Sequence, residues 1–396
     1  MKSLRERLDT LDKRIKNNDI TVMIIGLGSV GSYLLNYLIS RNDPAVKVVV
    51  VGRDYAKMES KVNITRIAGL IRKECRSEIL IEGRVDLQDP AQIKAAIEKY
   101  DPAFIVNSSR AYAGLKYGSI SWSNVRAYGI WTPLSIRFTK NIMQAADKAD
   151  TEAVIINTSY SDAVIPWLKS AGKAYPDFGS GNINHLIPRM KYAAAEILGV
   201  SDFWNVDIML ACSHFHDVVI SKEGHAESQT LPLKVFYDGQ EADIKQEDIL
   251  SRCSIPMPTD ATRNMMNASS NYQIIDAFIK AVRTGETQKV FSPGVLGEIG
   301  GYPVKVGYKD GKLDVTFDES VFTMDEMRAA NRESIYKDGV ENVTDGCLIY
   351  TDELIEKAEK AFSVTLPKKV SFDEIEDTAQ FIIDKIIVPQ TSKNEA

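Results

Sequence analysis

Between residues 20 and 160 short β-rich apolar runs alternate with longer stretches whose apolar positions recur at helical spacing. The runs read TVMIIG, VKVVVVG, SEILIEG, AFIVNSS and EAVIINTS, and helices are expected between them at 30–41, 53–74, 90–99 and 134–149. Strand and helix in that alternation imply right-handed β-α-β units and a parallel sheet. Ahead of it, leucines and an isoleucine at positions 4, 8, 11 and 15 stand between charges, the pattern of a short amphipathic helix that packs on a neighbour.

After about residue 160 the texture changes. A helix over 188–198 is followed by NVDIMLACSHFHDVVISKEG, LPLKVFYDG, a long helix over 260–284, and GYPVKVGYKDGKLDVTF with its KDGK hairpin turn. Mixed strands and helices predict an α+β unit. The last 75 residues read largely as charged helices ending in a polar tail, PQTSKNEA, with frayed ends expected. The fold expectation is α/β, a Rossmann-type doubly wound parallel sheet with a second α+β substrate domain. Its boundaries are an N-terminal helix at 1–19, a dinucleotide-binding domain at 20–160, the α+β domain at 161–320 and a helical extension at 321–396.

Composition narrows the function classes. The chain has 396 residues, 44% of them hydrophobic, enough for a substantial core. With 48 basic against 54 acidic residues the formal charge is −6, so no general attraction to nucleic acid or anionic membrane is expected. No secretion signal or bilayer-spanning run is read, and a cytoplasmic protein acting on a small molecule is the expectation. The four cysteines, Cys75, Cys212, Cys253 and Cys347, are far apart and form no C-x-x-C pair, which argues against a disulfide framework or a structural zinc site.

The first chemistry-bearing motif is VMIIGLGSVGSYLL, residues 22–35. Gly26, Gly28 and Gly31 form G-x-G-x-x-G between a strand and a helix, the context that makes this pattern informative. The first glycine permits a tight turn, the second lets a diphosphate approach, and the third lets helix pack on strand. Amides at the helix start, from Ser29 and Val30, then meet phosphate. The second strand ends in Gly52-Arg53-Asp54. Arg53 suits a cofactor 2′-phosphate, which favours NADP, while Asp54 could take the ribose hydroxyls of NAD. Asn107, ending the fourth strand, completes the residues expected at the cofactor.

Of the four histidines, His185, His214, His216 and His225, His214 is expected at the end of an apolar strand beside a cleft. Asn157 ends the strand AVIIN, and Arg189 opens RMKYAAAEILGV after GSGNINHLI. Here the chain resembles the lactate and malate dehydrogenase superfamily: IINTS, GSGNINHLIPRMKYAAAEILGV and CSHFHD follow in the family's order and at similar spacing, and VFSPGVLGEIGGYPVKV looks like its late hairpin. The resemblance covers most of residues 20–310 and implies a nicotinamide-dependent oxidoreductase interconverting a 2-hydroxy acid and a 2-keto acid, usually a homo-oligomer. It implies that Arg189 clamps the substrate carboxylate with its two-donor fork, that His214 exchanges the proton, and that Asn157 bonds the nicotinamide side or the substrate oxygen.

Two departures stand out. The family has an aspartate three residues before the clamp arginine to orient the histidine; here that residue is Leu186, with Asp217 or Asp162 as substitutes from elsewhere. The family's mobile-loop arginine is replaced at register by Trp131, leaving Arg126 or Arg137 to act. The segment 107–134 is longer and more aromatic than the family's loop, which suits a larger or less polar substrate. Two alternative functions follow. One is an NAD- and metal-dependent glycoside hydrolase of the same superfamily, with Cys212 and His214 as a soft ligand pair. The other is a non-catalytic dinucleotide-binding protein, given Leu186.

Overall fold

The apolar runs are long because their strands are covered on both faces. In the computed structural model, which describes residues 1–112, 114–228 and 231–394, six strands form one parallel sheet. They are β1 (Ile20–Ile25), β2 (Val46–Val51), β3 (Glu78–Glu82), β4 (Phe104–Asn107), β5 (Val154–Asn157) and β6 (Phe178–Gly179), in the order β3-β2-β1-β4-β5-β6. The expected α/β doubly wound core is therefore present, with antiparallel sheets added to it.

Alternation along the strands sorts their side chains between two cores. Met23, Ile25, Val49 and Val51 face one, with the helices Pro90–Tyr100 and Thr132–Lys148. Val22, Ile24, Val48 and Val50 face the other, against the helices Leu4–Lys16, Ser29–Ser40 and Asn264–Thr284. The predicted N-terminal helix is thus part of a core, and it is anchored by charge as well. Arg7 and Asp177 are both buried, and the guanidinium donates from Nη1 to Asp177 Oδ2 at 2.9 Å and from Nη2 to Oδ1 at 2.5 Å.

Three small antiparallel sheets follow: β7 (Val206–Leu210), β8 (Leu233–Tyr237) and β9 (Gln240–Glu241); β10 (Gln288–Pro293), β11 (Gly301–Lys309) and β12 (Lys312–Phe317); and β13 (Val340–Thr344), β14 (Cys347–Tyr350) and β15 (Lys369–Ser371). The last of these was not expected: the C-terminal 75 residues are largely helical, as read, but they also carry a small sheet. Its first hairpin turns at Asp345-Gly346 with φ of +50° and +71°, the left-handed pair that matches strand twist. The same chemistry at Asp310-Gly311 (φ +51° and +75°) makes the KDGK turn that was expected. Nor is the C-terminal segment a separate layer. Ile335, Val340, Leu348, Tyr350 and Ile382 lie in the same core as Met23 and Val49 of the main sheet.

Two local differences reposition candidate residues. The strand before His214 stops at Leu210, and His214 is the first residue of the helix His214–Glu223. The helix carrying Arg189 begins at Ile183, six residues before it, and accommodates Pro188 in its interior. Among the described residues no helix is long and apolar enough to cross a membrane.

Asp177→Ala leaves the Arg7 guanidinium buried without its carboxylate. We expect a loss of about 3–5 kcal/mol, read as a fall in the urea midpoint at unchanged m-value.

Candidate active site

The strand order reverses between β1 and β4, and a crevice opens beyond the carboxyl ends of these strands. The glycine turn forms its floor. Gly26 has φ +90°, a conformation natural to glycine. A Cβ at residue 31 would fall on the Gly26 carbonyl oxygen, so helix and turn can close only over glycine there. A Cβ at residue 28 would meet nothing within 4 Å. The helix Ser29–Ser40 starts without a side-chain cap, leaving its first amides directed at that open space. This is a cradle that fits a diphosphate.

The crevice encloses about 1110 Å³. Gly26, Gly28, Ser29 and Val30 line it together with Arg53 and Asp54, just after β2, and Lys57 from the helix that follows. Asp54 caps the helix Tyr55–Ile71, accepting from the Lys57 amide at 3.0 Å, and Arg53 is exposed. Asn264 donates to Ser29 Oγ at 2.6 Å and Lys61 Nζ to the Leu27 carbonyl at 2.6 Å, so the turn is braced from both sides.

His214 lines the same crevice. Its Nδ1 stands 3.0 Å from Oδ2 of Asp338, a carboxylate with no solvent exposure. Asp338 also accepts from the Tyr128 amide at 2.7 Å and from the Tyr160 hydroxyl at 2.7 Å. The rings of Tyr128 and Tyr160 meet the imidazole edge-on, at centroid distances of 4.7 and 5.2 Å. The His214 amide donates to Asp162 Oδ1 at 3.1 Å, and the other oxygen of Asp162 accepts from the Asn182 side chain.

Burial disfavours the imidazolium, but Asp338, reinforced by Asp162 and Asp217, outweighs it and raises the His214 pKa above its ordinary 6.5. Burial lifts Asp162 to about 6, against the lowering effect of His214 and Asn182. Burial and Asp338 together hold the Tyr160 hydroxyl neutral, its pKa raised well above normal.

The carboxylate on the imidazole thus comes from residue 338, in the C-terminal segment, and from neither substitute named from the sequence. Asp162 bonds the His214 backbone, and Asp217 lies 3.5 Å from His185 Nδ1. Leu186 is fully buried in the core beside β7. No sequence pattern announces Asp338. The one available signal is a lone acid, in IYKDGV, after an amphipathic helix.

Several expected residues lie elsewhere. Arg189 is buried outside the crevice lining, donating to the Cys253 carbonyl at 2.9 Å and to Met257 Sδ at 3.0 Å. Asn157 and Asn107 are buried and bond each other at 2.9 Å. Asn157 Oδ1 also accepts from Thr139, and its Nδ2 donates to the Ser159 carbonyl and Ser161 Oγ, while Asn107 Oδ1 takes two donors from Ser109. Both asparagines tie strand ends together and neither lines the crevice. Gly31 likewise acts behind the lining, as the packing glycine.

Arg126 pairs with Glu223 and Glu227, and Arg137 with Glu376. Cys212 is buried away from the lining and burial raises its thiol pKa well above normal, which removes the geometric basis for a Cys212–His214 ligand pair. From the aromatic segment 107–134, Tyr112, Tyr117, Tyr128 and Trp131 do line the crevice; residue 113 lies outside the described residues.

Asp338→Asn removes the charge that favours the imidazolium. The His214 pKa should fall, observable by histidine NMR titration. Because the folded-state value is raised, the pair contributes stability that is full below pH 6.5 and lost as pH rises through the raised pKa. That pH dependence should flatten in the variant.

No protein-family model matches the chain, and no curated protein sequence does. Solved structures do match in fold. Malate dehydrogenase from Plasmodium falciparum superposes with a TM-score of 0.54 at 12% identity over 87% of this chain and 99% of that one. Lactate dehydrogenase from Cryptosporidium parvum, complexed with lactic acid and nicotinamide adenine dinucleotide, gives 0.51 at 16% identity over 80% and 95%. Malate dehydrogenase from Aeropyrum pernix gives 0.51 at 14% over 80% and 97%. The chain therefore has the fold of the malate and lactate dehydrogenases, carried by a sequence far from theirs.

Proposed function

We propose that the protein is an NAD(P)-dependent oxidoreductase that interconverts a 2-hydroxy acid and a 2-keto acid, with His214 as its acid–base residue. The observation that carries this reading is the His214–Asp338 pair at 3.0 Å in the crevice that also contains the glycine turn. A proton carrier and a diphosphate cradle in one cleft are what hydride transfer to or from a carbon bearing oxygen requires.

The turn amides and Gly28 would hold the diphosphate, and the bound nicotinamide would supply the hydride acceptor or donor. His214 works through Nε2, because Nδ1 is committed to Asp338. In alcohol oxidation Nε2 takes the hydroxyl proton, and Asp338 stabilises the cation so formed. In keto-acid reduction the imidazolium returns that proton to the oxygen. The raised pKa keeps His214 protonated to higher pH, which favours reduction near neutrality. Asp338 thereby takes the part that the family-type aspartate plays in the resemblance, and this supports a catalytic reading over that of a cofactor-binding protein without chemistry.

Arg189, the residue the resemblance assigns to the carboxylate, faces the 253–257 loop. Within the crevice, His185 is the nearer candidate: Asp217 holds its Nδ1 side and its Nε2 has no hydrogen-bond partner. Arg53, just after β2, and Lys57, in the first turn of the helix Tyr55–Ile71, are both exposed and support NADP over NAD.

His214→Asn should lower keto-acid-dependent NADPH oxidation, followed at ~340 nm across a panel of 2-keto acids, on the order of 10²–10⁴-fold. Cofactor affinity, by fluorescence titration, should stay within about twofold, since the histidine makes no contact with the diphosphate cradle. No turnover by the wild-type protein with any member of the panel would refute the reading. Arg53→Ala should weaken NADPH about tenfold, the loss of one charge-assisted hydrogen bond, and leave NADH unchanged.

A further inference from the structure

The crevice has a second chemically distinct end. The helix His214–Glu223 presents one continuous face to it: His214, Asp217, Val218, Ser221 and Lys222 all line the wall. Those positions follow helical spacing, so Lys222 lies about 12 Å along the axis from His214. Arg263 also lines the crevice, just before the helix Asn264–Thr284 whose first residue braces the glycine turn through Ser29. Among the described residues, neither Lys222 nor Arg263 has a carboxylate within ion-pair distance. The adjacent acid Glu223 is taken by Arg126, and the Asp260 side chain accepts from the Thr262 amide as a helix cap. Lys222 Nζ lies 5.4 Å from the centre of the Trp122 ring.

A third cation stands behind this end. Arg189 is one helical turn beyond His185 and only 3% exposed, with no hydrogen-bond partner on Nε and only a thioether, Met257 Sδ, on Nη2. A buried guanidinium so poorly matched is costly. Burial followed by Arg263 lowers the Lys222 pKa against the raising effect of Glu223, and burial and Arg263 lower that of Arg189 against Asp217. Among the described residues Lys222 and Arg263 form no ion pair although Asp217 and Asp260 also line the crevice, and unpaired cations at a cleft are an arrangement that binds an anion.

We propose that Lys222 and Arg263, backed by Arg189 under Met257, form a distal anion subsite, and that the substrate is an elongated hydroxy or keto acid with a second anionic group, carboxylate or phosphate, remote from the reacting carbon. The inference rests on His214 being the reacting end. The helical rise over the eight-residue separation of His214 and Lys222, about 12 Å, exceeds the length of a three- or four-carbon acid, and Tyr112, Tyr117, Tyr128 and Trp131 offer apolar surface in the same crevice for a longer chain.

The test compares matched ligands with and without the distal charge: 2-oxoadipate against 2-oxohexanoate, and 6-phosphogluconate against gluconate. The 2-oxo acids are titrated calorimetrically into the full-length protein saturated with NADP+, and the hydroxy acids into protein saturated with NADPH, so that neither pair turns over. We expect the doubly anionic member to bind at least tenfold tighter in one pair, which also identifies the anion as carboxylate or phosphate. Lys222→Met and Arg263→Met should each reduce that preference to about twofold or less, with NADPH affinity unchanged. No preference in either pair, or a preference that survives both substitutions, overturns the subsite. Weakened NADPH with the ligand preference intact overturns it too, and assigns the two cations to the cofactor diphosphate. Failure of the wild-type protein to bind NADPH or NADH would instead refute the dehydrogenase reading, and the ligand pairs titrated without cofactor would still decide the subsite.

Discussion

The site depends on a buried ion pair whose members are each poorly placed without the other. His214 begins a helix, where the positive end of the helix dipole opposes an imidazolium, and Asp338 follows the last residue of the helix Met324–Lys337, where the negative end opposes a carboxylate. Brought to 3.0 Å, each compensates the other's adverse helix end, and the Tyr128 amide and Tyr160 hydroxyl satisfy the remaining lone pairs of the acid. A buried carboxylate is tolerable only under such conditions. The same contact fixes which imidazole nitrogen is left for chemistry.

This pair also explains why the C-terminal segment is built into the sheet core. Held to the domain by a surface contact alone, it would deliver Asp338 with the freedom of a loop. Instead Ile335 and Val340 flank the acid in sequence and are both buried in the core that contains Met23 and Val49. The Gly129 amide donates to the Asp338 carbonyl at 2.8 Å, and a Cβ on Gly129 would collide with that oxygen. The segment around Tyr128 is thus clamped to residue 338 through backbone and side chain at once. Where the resemblance implied a mobile loop with an arginine, this chain has an aromatic segment held in place by its C-terminal part.

The two ends of the crevice are organised on different principles. Near the glycine turn the crevice offers uncapped backbone amides and space left by absent side chains. Lys222 and Arg263 line the crevice without ion pairs among the described residues, with Asp217 and Asp260 in the same wall. His214 lines the same crevice, flanked by the ring edges of Tyr128 and Tyr160.

Periodicity and glycine spacing were enough to establish the glycine turn and the order of the first eight elements, because a turn, a strand or a helix rests on residues close in the chain, and the alternation of strand and helix implied a parallel sheet. Gly26, Gly28 and Gly31 declare their role by spacing, since a turn and the helix that follows it are local objects. His214 could be picked out, although its expected place at a strand end was wrong by one element: the apolar run before it stops at Leu210, and Cys212 turns the chain through its contact with Gly301. Arg189 and Asn157 matched a linear pattern, yet a pattern records order along the chain and not the direction a side chain takes once its helix starts six residues earlier or its amide finds four partners. Asp338 lies 124 residues from His214. The sequence by itself determined which segments could be buried and where a diphosphate could approach; only the tertiary structure decided which acid meets the histidine, because a long-range pair is chosen by packing and desolvation, which no spacing along the chain encodes.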